Sequence, residues 1–186
     1  FYVGEARLFA KQYDEAERLL LRSIAIGEKV LGPNHLDVAS DLFNLARVYS
    51  EQHRYDDAVR SYQRVLAIRE KALGPEHFQV AVCLTDLGSL YMRLGRYPEA
   101  ERLYKRALLI CEKTFGPDDP DLTIALGNLA SVYRDEAQYT AAEPLYMRAL
   151  AIREKALGPT HVDVALSLRS LAELYAKMGR YAEAEP

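Results

Sequence analysis

Two His-x-Asp pairs are the residues whose types and spacing could do chemistry in this sequence. His35 and Asp37 form one pair, and His161 and Asp163 form the other. A histidine beside a carboxylate can act as an acid–base pair or bind a metal ion. Both pairs, however, fall at the same place in a repeated turn, where polar side chains accept hydrogen bonds from the first amides of a helix. We therefore interpret them as helix caps and expect neither a catalytic nor a metal-binding role.

The two cysteines, Cys83 and Cys111, and the four histidines lie scattered along the chain. Zinc sites need ligands at short, regular spacings, and redox pairs need an activated thiolate. The sequence also lacks the G-x-x-x-x-G-K-[ST] and G-x-G-x-x-G strings that cradle phosphates. We expect no cofactor, no metal and no enzyme activity, and the unpatterned thiols favour a reducing, cytoplasmic location.

The charge balance limits the classes of partner. The 186 residues include 24 basic and 27 acidic ones, giving a net charge of −3 with no concentrated basic face. Nucleic-acid binding needs such a face, so we expect no nucleic-acid partner. The apolar runs are much shorter than the ~20 residues that span a bilayer, and no signal-peptide pattern opens the chain. We therefore expect no membrane association.

One turn is written four times at a fixed interval of 42 residues. The copies begin at Lys29, Lys71, Lys113 and Lys155 and read KVLGPNH, KALGPEH, KTFGPDD and KALGPTH. In each copy the lysine favours the negative end of a helix, the glycine supplies a left-handed residue that ends the helix, and the proline prevents continuation. Recurrence at a fixed period is the signature of stacked repeats.

Other residues follow the same period and show two amphipathic helices in each unit. The first helix carries one apolar stripe, and the second carries another with Arg69 at its edge. The first stripe contains Val38, Leu42, Leu45, Ala46 and Tyr49, and the second contains Ala58, Tyr62, Val65, Leu66 and Leu73. A tyrosine series precedes the second helices at Tyr13, Tyr55, Tyr97, Tyr139 and Tyr181, each followed three residues later by an alanine. One helix pair cannot bury its stripes alone, so neighbouring pairs must bury them jointly.

These Leu-Ala-x-x-Tyr and Tyr-x-x-Ala series resemble the tetratricopeptide repeat, whose usual length is about 34 residues. The 42-residue period and the Glu-Lys-x-Leu-Gly-Pro-x-His junction resemble specifically the kinesin light chain type, over essentially the whole chain. The resemblance implies an all-α, right-handed superhelical solenoid of antiparallel helix pairs. We expect a single array that is a fragment of a longer one. Its parts are a partial first repeat at 1–34, repeats at 35–76, 77–118 and 119–160, and a truncated last repeat at 161–186.

Tetratricopeptide arrays line a concave groove with the first helix of each pair, so the resemblance implies a peptide-binding surface here. The positions carried over are Phe43, Asn44, Arg47, Glu51, Thr85, Asp86, Ser89, Arg93, Asn128, Ser131, Arg134, Asp135, Arg169, Ser170, Glu173 and Lys177. Asparagines could hold a peptide backbone, and Arg47, Arg93 and Arg134 could contact acidic side chains. Kinesin light chain grooves bind tryptophan-containing acidic peptides, so an acidic segment is the implied ligand, although the acidic residues give this groove a mixed charge.

The leading functional hypothesis is therefore a protein–protein interaction module, an adaptor or scaffold that binds a peptide segment of a partner. The alternative is a structural spacer or self-assembly element with an idle groove. In that case apolar faces at the array ends, near Val3 and Tyr181, would associate between molecules. Enzyme activity would require a domain outside this sequence.

Overall fold

The computed structural model describes the backbone of residues 2–181 and the side chains of residues 12–181. Within these residues the chain forms eight α-helices and no strands, which confirms the all-α helical repeat array. The helices are α1 (Tyr2–Val30), α2 (Leu36–Glu51), α3 (Tyr55–Leu73), α4 (Phe78–Arg93), α5 (Tyr97–Phe115), α6 (Leu122–Asp135), α7 (Tyr139–Leu157) and α8 (Val162–Lys177). We call α2, α4, α6 and α8 the first helices and α1, α3, α5 and α7 the second helices.

The chain divides into two compact units, one ending at Leu90 and the other beginning at Tyr91. In unit 1, α1 packs on α2 and α2 packs on α3. In unit 2, α5 packs on α6, α6 on α7 and α7 on α8. The repeat boundaries expected from the sequence stay a prediction, as does the single array.

The repeated Gly-Pro junctions end the second helices as the sequence predicts. The φ angles of Gly32, Gly74, Gly116 and Gly158 are 94°, 93°, 94° and 84°. At Gly74, Gly116 and Gly158 the ψ angles are 154°, 167° and 157°. Positive φ combined with an extended ψ is a region that essentially only glycine populates. The glycine is therefore required at these junctions, and the helix stops there.

The histidines of the junctions cap the first helices, which confirms their interpretation as caps. The Nδ1 atoms of His35 and His161 each accept a hydrogen bond from the backbone amide two residues further on, at 3.2 Å. His77 does the same at 3.1 Å. In the junction without a histidine, the Oδ1 of Asp119 accepts the equivalent hydrogen bond from the amide of Asp121 at 2.9 Å, although α6 itself begins only at Leu122. The same hydrogen bond is therefore made by two different residue types.

The turns between first and second helices each contain one residue with positive φ. Two are glycines, Gly95 at 68° and Gly179 at 73°, and two are not, His53 at 60° and Ala137 at 58°. The turns without glycine still close: the amide after Ala137 donates to the carbonyl of Tyr133 at 2.7 Å. The turns in which another residue replaces glycine therefore keep the same geometry, at the cost of backbone strain at His53 and Ala137.

The first repeat differs from the pattern of the others. The columns predict a turn before Tyr13, but α1 runs without a break from Tyr2 to Val30. Ala10, Lys11 and Gln12 stand at the turn, and all three favour a helix. The repeat positions Val3, Arg7 and Ala184 lie outside the residues whose side chains are described.

One tyrosine column packs in the interior as expected, whereas the series near the start of the second helices is only half-buried at Tyr55, Tyr97 and Tyr139 and is 70% exposed at Tyr181. Tyr62, Tyr104 and Tyr146 are buried, and Tyr146 belongs to a core cluster of unit 2 with Ala130, Ala142, Leu171 and Leu174. That cluster joins α6, α7 and α8, so neighbouring helix pairs bury their apolar stripes jointly.

Candidate functional site

The residues carried over to α2 lie mostly at the surface of unit 1. Asn44, Arg47 and Glu51 are exposed, and Phe43 is half-buried. The ring of Phe43 meets the ring of Tyr62 edge-on, with centroids 5.6 Å apart. Phe43 is therefore partly a packing residue, and the other three form the accessible part of this helix face.

Arg69 lies beneath Phe43 rather than at the edge of the apolar stripe, where the sequence places it. Its side chain is buried, and its guanidinium carbon lies 4.7 Å from the Phe43 ring centroid. Its Nη1 donates to the carbonyl of Gln79 at 3.0 Å. The arginine therefore joins α3 to the start of α4. A buried cation needs such a partner and an aromatic face.

Asp86 on α4 and Arg47 on α2 converge on the same space in unit 1. Burial raises the pKa of Asp86, while the positive charge of Arg47 and a hydrogen bond with Tyr62 act in the opposite direction. The pKa of Tyr62 is also raised, mainly by burial and then by the Asp86 charge. Arg47 and Asp86, from successive first helices, therefore lie near enough for their charges to interact.

The hydroxyl residues of α4 are half-buried and bonded to their own helix. Thr85 donates to the carbonyl of Ala81 at 2.9 Å, and Ser89 donates to the carbonyl of Thr85 at 3.0 Å. Arg93, at the end of α4, is exposed. The α4 hydroxyls thus offer a ligand less hydrogen-bonding capacity than the exposed residues of α2.

In unit 2, Ser131 is tied to the packed interior. Its hydroxyl lies 2.9 Å from the hydroxyl of Tyr146 and donates to the carbonyl of Gly127 at 2.9 Å. Asn128 is half-buried one turn earlier on α6. Ser131 therefore positions Tyr146, and the amide of Asn128 lies beside it on the same helix.

An ionic network links α6 and α8 in unit 2. The Nε of Arg134 lies 3.0 Å from Asp135, and its Nη1 lies 3.6 Å from Glu173 on α8. Glu173 also lies 3.9 Å from Arg169. Lys177 is exposed one turn further along α8, and Ser170 donates to the carbonyl of Leu166 at 3.0 Å. In unit 2 the network therefore brings Arg134, Asp135, Arg169 and Glu173 together, so the arginine of α6 is already paired; the predicted groove as a whole stays a prediction.

Gly127 leaves an open space on α6. It occupies the repeat position of Phe43, two repeats further on. A Cβ atom added at Gly127 would meet no atom within 4 Å, apart from its chain neighbours and its own helix backbone. The space that the Phe43 ring takes beside Tyr62 in unit 1 thus has no side-chain counterpart beside Tyr146, the equivalent tyrosine in unit 2.

Neither cysteine is suited to nucleophilic chemistry. Both are free thiols and both are buried. Burial raises the pKa of Cys83 to about 12 and also raises that of Cys111. Reactive thiols have lowered pKa values in electropositive, accessible surroundings. Among the described residues there is also no group of three or more His, Cys, Asp or Glu side chains that could hold a metal ion.

Sequence reasoning missed the polar contacts that join successive second helices. Arg64 lies 2.5 Å from Glu28 and donates to the carbonyl of Pro33 at 3.1 Å. In unit 2, Arg148 makes the same two contacts, with Glu112 at 2.5 Å and with the carbonyl of Pro117 at 2.6 Å. The 42-residue recurrence of arginine and glutamate was the signal that could have revealed them.

The family comparison agrees with this geometry. The tetratricopeptide repeat family matches residues 2–71, 51–91, 81–155 and 121–186, which together cover nearly the whole chain. No curated protein matches the sequence significantly. In the described part of the chain, no helix has the length and apolarity needed to cross a bilayer.

Solved structures with the same helical repeat extend the comparison. A kinesin light chain-like protein of Podosopora anserina with nearly identical TPR-like repeats is 30% identical, with a TM-score of 0.84; the match covers 95% of this chain and 83% of that one. BtubC (BKLC) from P. vanneervenii is 22% identical, with a TM-score of 0.86, and the match covers 97% and 72%. RapI in its apo form is 20% identical, with a TM-score of 0.73, and the match covers 90% and 46%.

The fold and the repeated surface define a helical-repeat protein of the interaction-scaffold class. The chain belongs to the tetratricopeptide-repeat family, and its repeats are of the kinesin light chain-like type that the 42-residue period predicts. Repeats of this family generally bind protein partners, and the fold is generally that of a non-enzymatic module.

Proposed function

We propose that the chain is an adaptor that binds an extended peptide segment of a partner protein across its first helices. The observation that carries the proposal is the electrostatic interaction between Arg47 on α2 and Asp86 on α4. These residues come from different repeats and are spared from the apolar core. A solenoid that aligns equivalent helices side by side offers such residues as one binding surface.

The asparagines support binding of a peptide backbone. Among the described residues, the side-chain amides of Asn44 and Asn128 make no hydrogen bond to another residue, and Asn44 is exposed. A carboxamide can donate to a carbonyl and accept from an amide of an extended chain without selecting its side chains. We therefore assign each of these residues to holding a peptide backbone on the first helix of its own unit.

The charges favour an acidic side chain of the peptide at Arg47. Its guanidinium is exposed, and Asp86, on whose pKa its charge acts, is half-buried, with burial raising the pKa of that carboxyl. Arg134, by contrast, is already engaged by Asp135 and Glu173. An acidic group of the ligand would have to compete for Arg134 but could approach Arg47 directly. We assign acid recognition to unit 1.

A cytoplasmic adaptor is the setting that fits these features. The two cysteines are unpaired thiols, the state maintained in a reducing compartment. The proposed role needs no cofactor and no chemistry at the groove, because affinity comes from backbone hydrogen bonds and a few charged contacts.

The test begins with a pull-down using the chain, followed by mapping of the bound segment on overlapping synthetic peptides. Calorimetric titration then compares the wild type with a variant carrying Arg47→Ala, Arg93→Ala and Arg134→Ala. A hydrogen bond to a charged group contributes about 1.5–3 kcal/mol, so losing one such contact should weaken binding roughly tenfold or more.

The matched control is a second triple variant that combines Arg18→Ala, Arg60→Ala and Arg102→Ala. These exposed arginines occupy one repeat position of the second helices. This variant removes the same number of positive charges away from the first helices and should keep the wild-type affinity. Unchanged affinity of the first triple variant, or equal losses in both, would overturn the assignment of the surface.

A further inference from the structure

A cluster of charged side chains on α6 and α8 departs from the repeat pattern. Arg134, Asp135, Arg169 and Glu173 form this cluster in unit 2. The repeat positions of Arg134 and Arg169 carry no charged residue anywhere else in the sequence. Residues that the stacking of helices requires recur with the 42-residue period, so the fold does not account for these two arginines.

Glu173 lies between the two arginines without a close hydrogen bond to either. Its carboxylate oxygens are 3.6 Å from Nη1 of Arg134 and 3.9 Å from Nε of Arg169. Both distances exceed the roughly 2.7–3.2 Å of a hydrogen bond from nitrogen to oxygen. The Glu173 side chain is 56% exposed, and Arg47, at the same repeat position of α2, is exposed too. An exposed carboxylate that is held by charge alone can turn away into water at little cost.

The positive charges around Glu173 outnumber its own charge. Arg169 and Lys177 stand four residues before and after it, so the three side chains share one face of α8. Helix α6 adds Arg134, whose Nε lies 3.0 Å from Asp135. With Glu173 turned away, three cations and one carboxylate remain. The cluster is therefore an anion site that the chain's own glutamate occupies.

We propose that this site binds a phosphorylated side chain of the partner peptide, which displaces Glu173; the inference rests on the function proposed above. A peptide carboxylate would only exchange one monoanion for another, and Glu173 has the advantage of being tethered beside the site. A phosphoryl group carries about −1.5 to −2 charges at pH 7 and three acceptor oxygens. It can accept hydrogen bonds of ordinary length from both Arg134 and Arg169. Glu173 thus makes the site select a dianion over a carboxylate.

The test uses short capped alanine–glycine peptides that differ only at the central residue, which is phosphoserine in one and glutamate in the other. Two-dimensional NMR of the isotope-labelled chain follows the Nε–H signals of Arg134 and Arg169 during titration. The phosphopeptide should shift both signals until they saturate, and the glutamate peptide should leave them in place. Inorganic phosphate, titrated in the same way, should bind more weakly than the phosphopeptide, because it lacks a backbone for Asn128 to hold.

Two matched variants isolate the role of Glu173. Glu173→Gln removes the internal competitor and should tighten phosphopeptide binding roughly two- to fivefold, the range expected for an exposed ion pair. It should also allow the glutamate peptide to shift both arginine signals. Glu154→Gln removes an exposed carboxylate from α7 and should titrate like the wild type. The amide signals in the same spectra show that each variant is folded.

The proposal is wrong if the wild type does not distinguish the two peptides, or if Glu173→Gln and Glu154→Gln bind the phosphopeptide equally. It is also wrong if inorganic phosphate binds as tightly as the phosphopeptide, because the site would then serve the free anion. None of these results bears on Arg47 and the mapped partner segment. Failure at this site can therefore be told apart from failure of the proposed function.

Discussion

Arg54 places its guanidinium carbon 4.3 Å from the centre of the Tyr49 ring while its Nη1 donates to both carboxylate oxygens of Glu17, at 2.9 and 2.8 Å. Arg180 and Tyr175 repeat the arrangement at 4.6 Å in unit 2. A cation over the exposed face of a core tyrosine, held by a carboxylate of the preceding second helix, is thus a recurring element of this chain.

The chain preserves this cation where the arginine is lost. Gln138 occupies the position of Arg54, and there the ammonium of Lys105 lies 5.7 Å from the centre of the Tyr133 ring. The hydroxyl of Tyr133 donates to Glu101 at 3.0 Å, and Lys105 lies 2.7 Å from the same carboxylate. A lysine from a neighbouring helix therefore replaces the missing guanidinium.

We expect Arg54→Ala to lower the urea midpoint of unfolding, because it removes both the cation over Tyr49 and the link to Glu17. Arg54→Lys should recover part of the loss, since it keeps the positive charge without the planar donor pair. Arg60→Ala serves as the control, because the Arg60 side chain is exposed and its ion pair is with Asp57, on its own helix. Equal midpoints for Arg54→Ala and Arg60→Ala would contradict the role of Arg54.

Ala137→Gly should stabilise the protein by about 1 kcal/mol, because a left-handed residue with a Cβ costs about 1–2 kcal/mol and glycine does not carry this cost. Ala137 has a φ of 58°. Ala151→Gly, at an exposed position inside α7, should destabilise by about 1 kcal/mol through lost helix propensity. Urea unfolding of both variants tests the opposite signs, and a loss of stability in Ala137→Gly would refute the strain at this turn.

Asp86→Asn should remove a pH-dependent part of the stability. Burial raises the pKa of Asp86 in the folded chain above its unfolded value, and the charges of Arg47 and Arg69 and the Tyr62 hydrogen bond only partly oppose this. The folded state then binds the proton more readily than the unfolded state. The contribution of Asp86 is therefore greatest below the unfolded pKa, about 3.9, and is lost as pH rises through the folded pKa.

The measurement is urea unfolding of wild type and Asp86→Asn at a series of pH values from that unfolded pKa up to neutrality. Asparagine is already the residue of this column at Asn44 and Asn128, so it suits the position. The variant should gain stability relative to the wild type as the pH rises. A difference between the two proteins that stays constant with pH would show that Asp86 does not titrate differently in the two states.

Gly127→Phe should fill the open space on α6 and weaken binding of a partner peptide in unit 2 without unfolding the chain. The added ring would lie beside Tyr146 as the Phe43 ring lies beside Tyr62. Gly127→Ala is the control: it should keep the affinity and gain about 1 kcal/mol of stability from helix propensity. Calorimetric titration with the mapped peptide gives the affinity, and equal binding by both variants would place the peptide elsewhere.

The periodic features of the molecule could be read from the sequence because each is a local rule written several times. The repeated Gly-Pro sequence predicted where the second helices end, because only glycine suits the backbone at Gly74 and its counterparts. The position of the histidines just before an apolar stripe predicted that they cap the first helices. Arg69 could not be placed correctly, because its burial depends on the Phe43 ring and on a carbonyl of α4. These partners are specified only by packing between helices.

For the surface residues too, the sequence predicted which positions are exposed but not which partners they contact. The columns identified the exposed positions Asn44, Arg47 and Glu51, since residues that avoid an apolar stripe lie on its outer side. They could not indicate that Arg134 is paired across α6 and α8, or that Asp86 is half-buried. Such pairing depends on which side chains stand at neighbouring columns in successive repeats, and these differ from one repeat to the next.

The contacts of Arg64 and Arg148 have a consequence for how such a chain can change over generations. Each arginine reaches a glutamate 36 residues earlier and a carbonyl 31 residues earlier. Inserting or deleting a single residue in between would misalign both partners, whereas duplicating or excising an entire 42-residue segment would recreate them at the new seam. Segment length is therefore held constant by geometry, while the number of segments is free to drift.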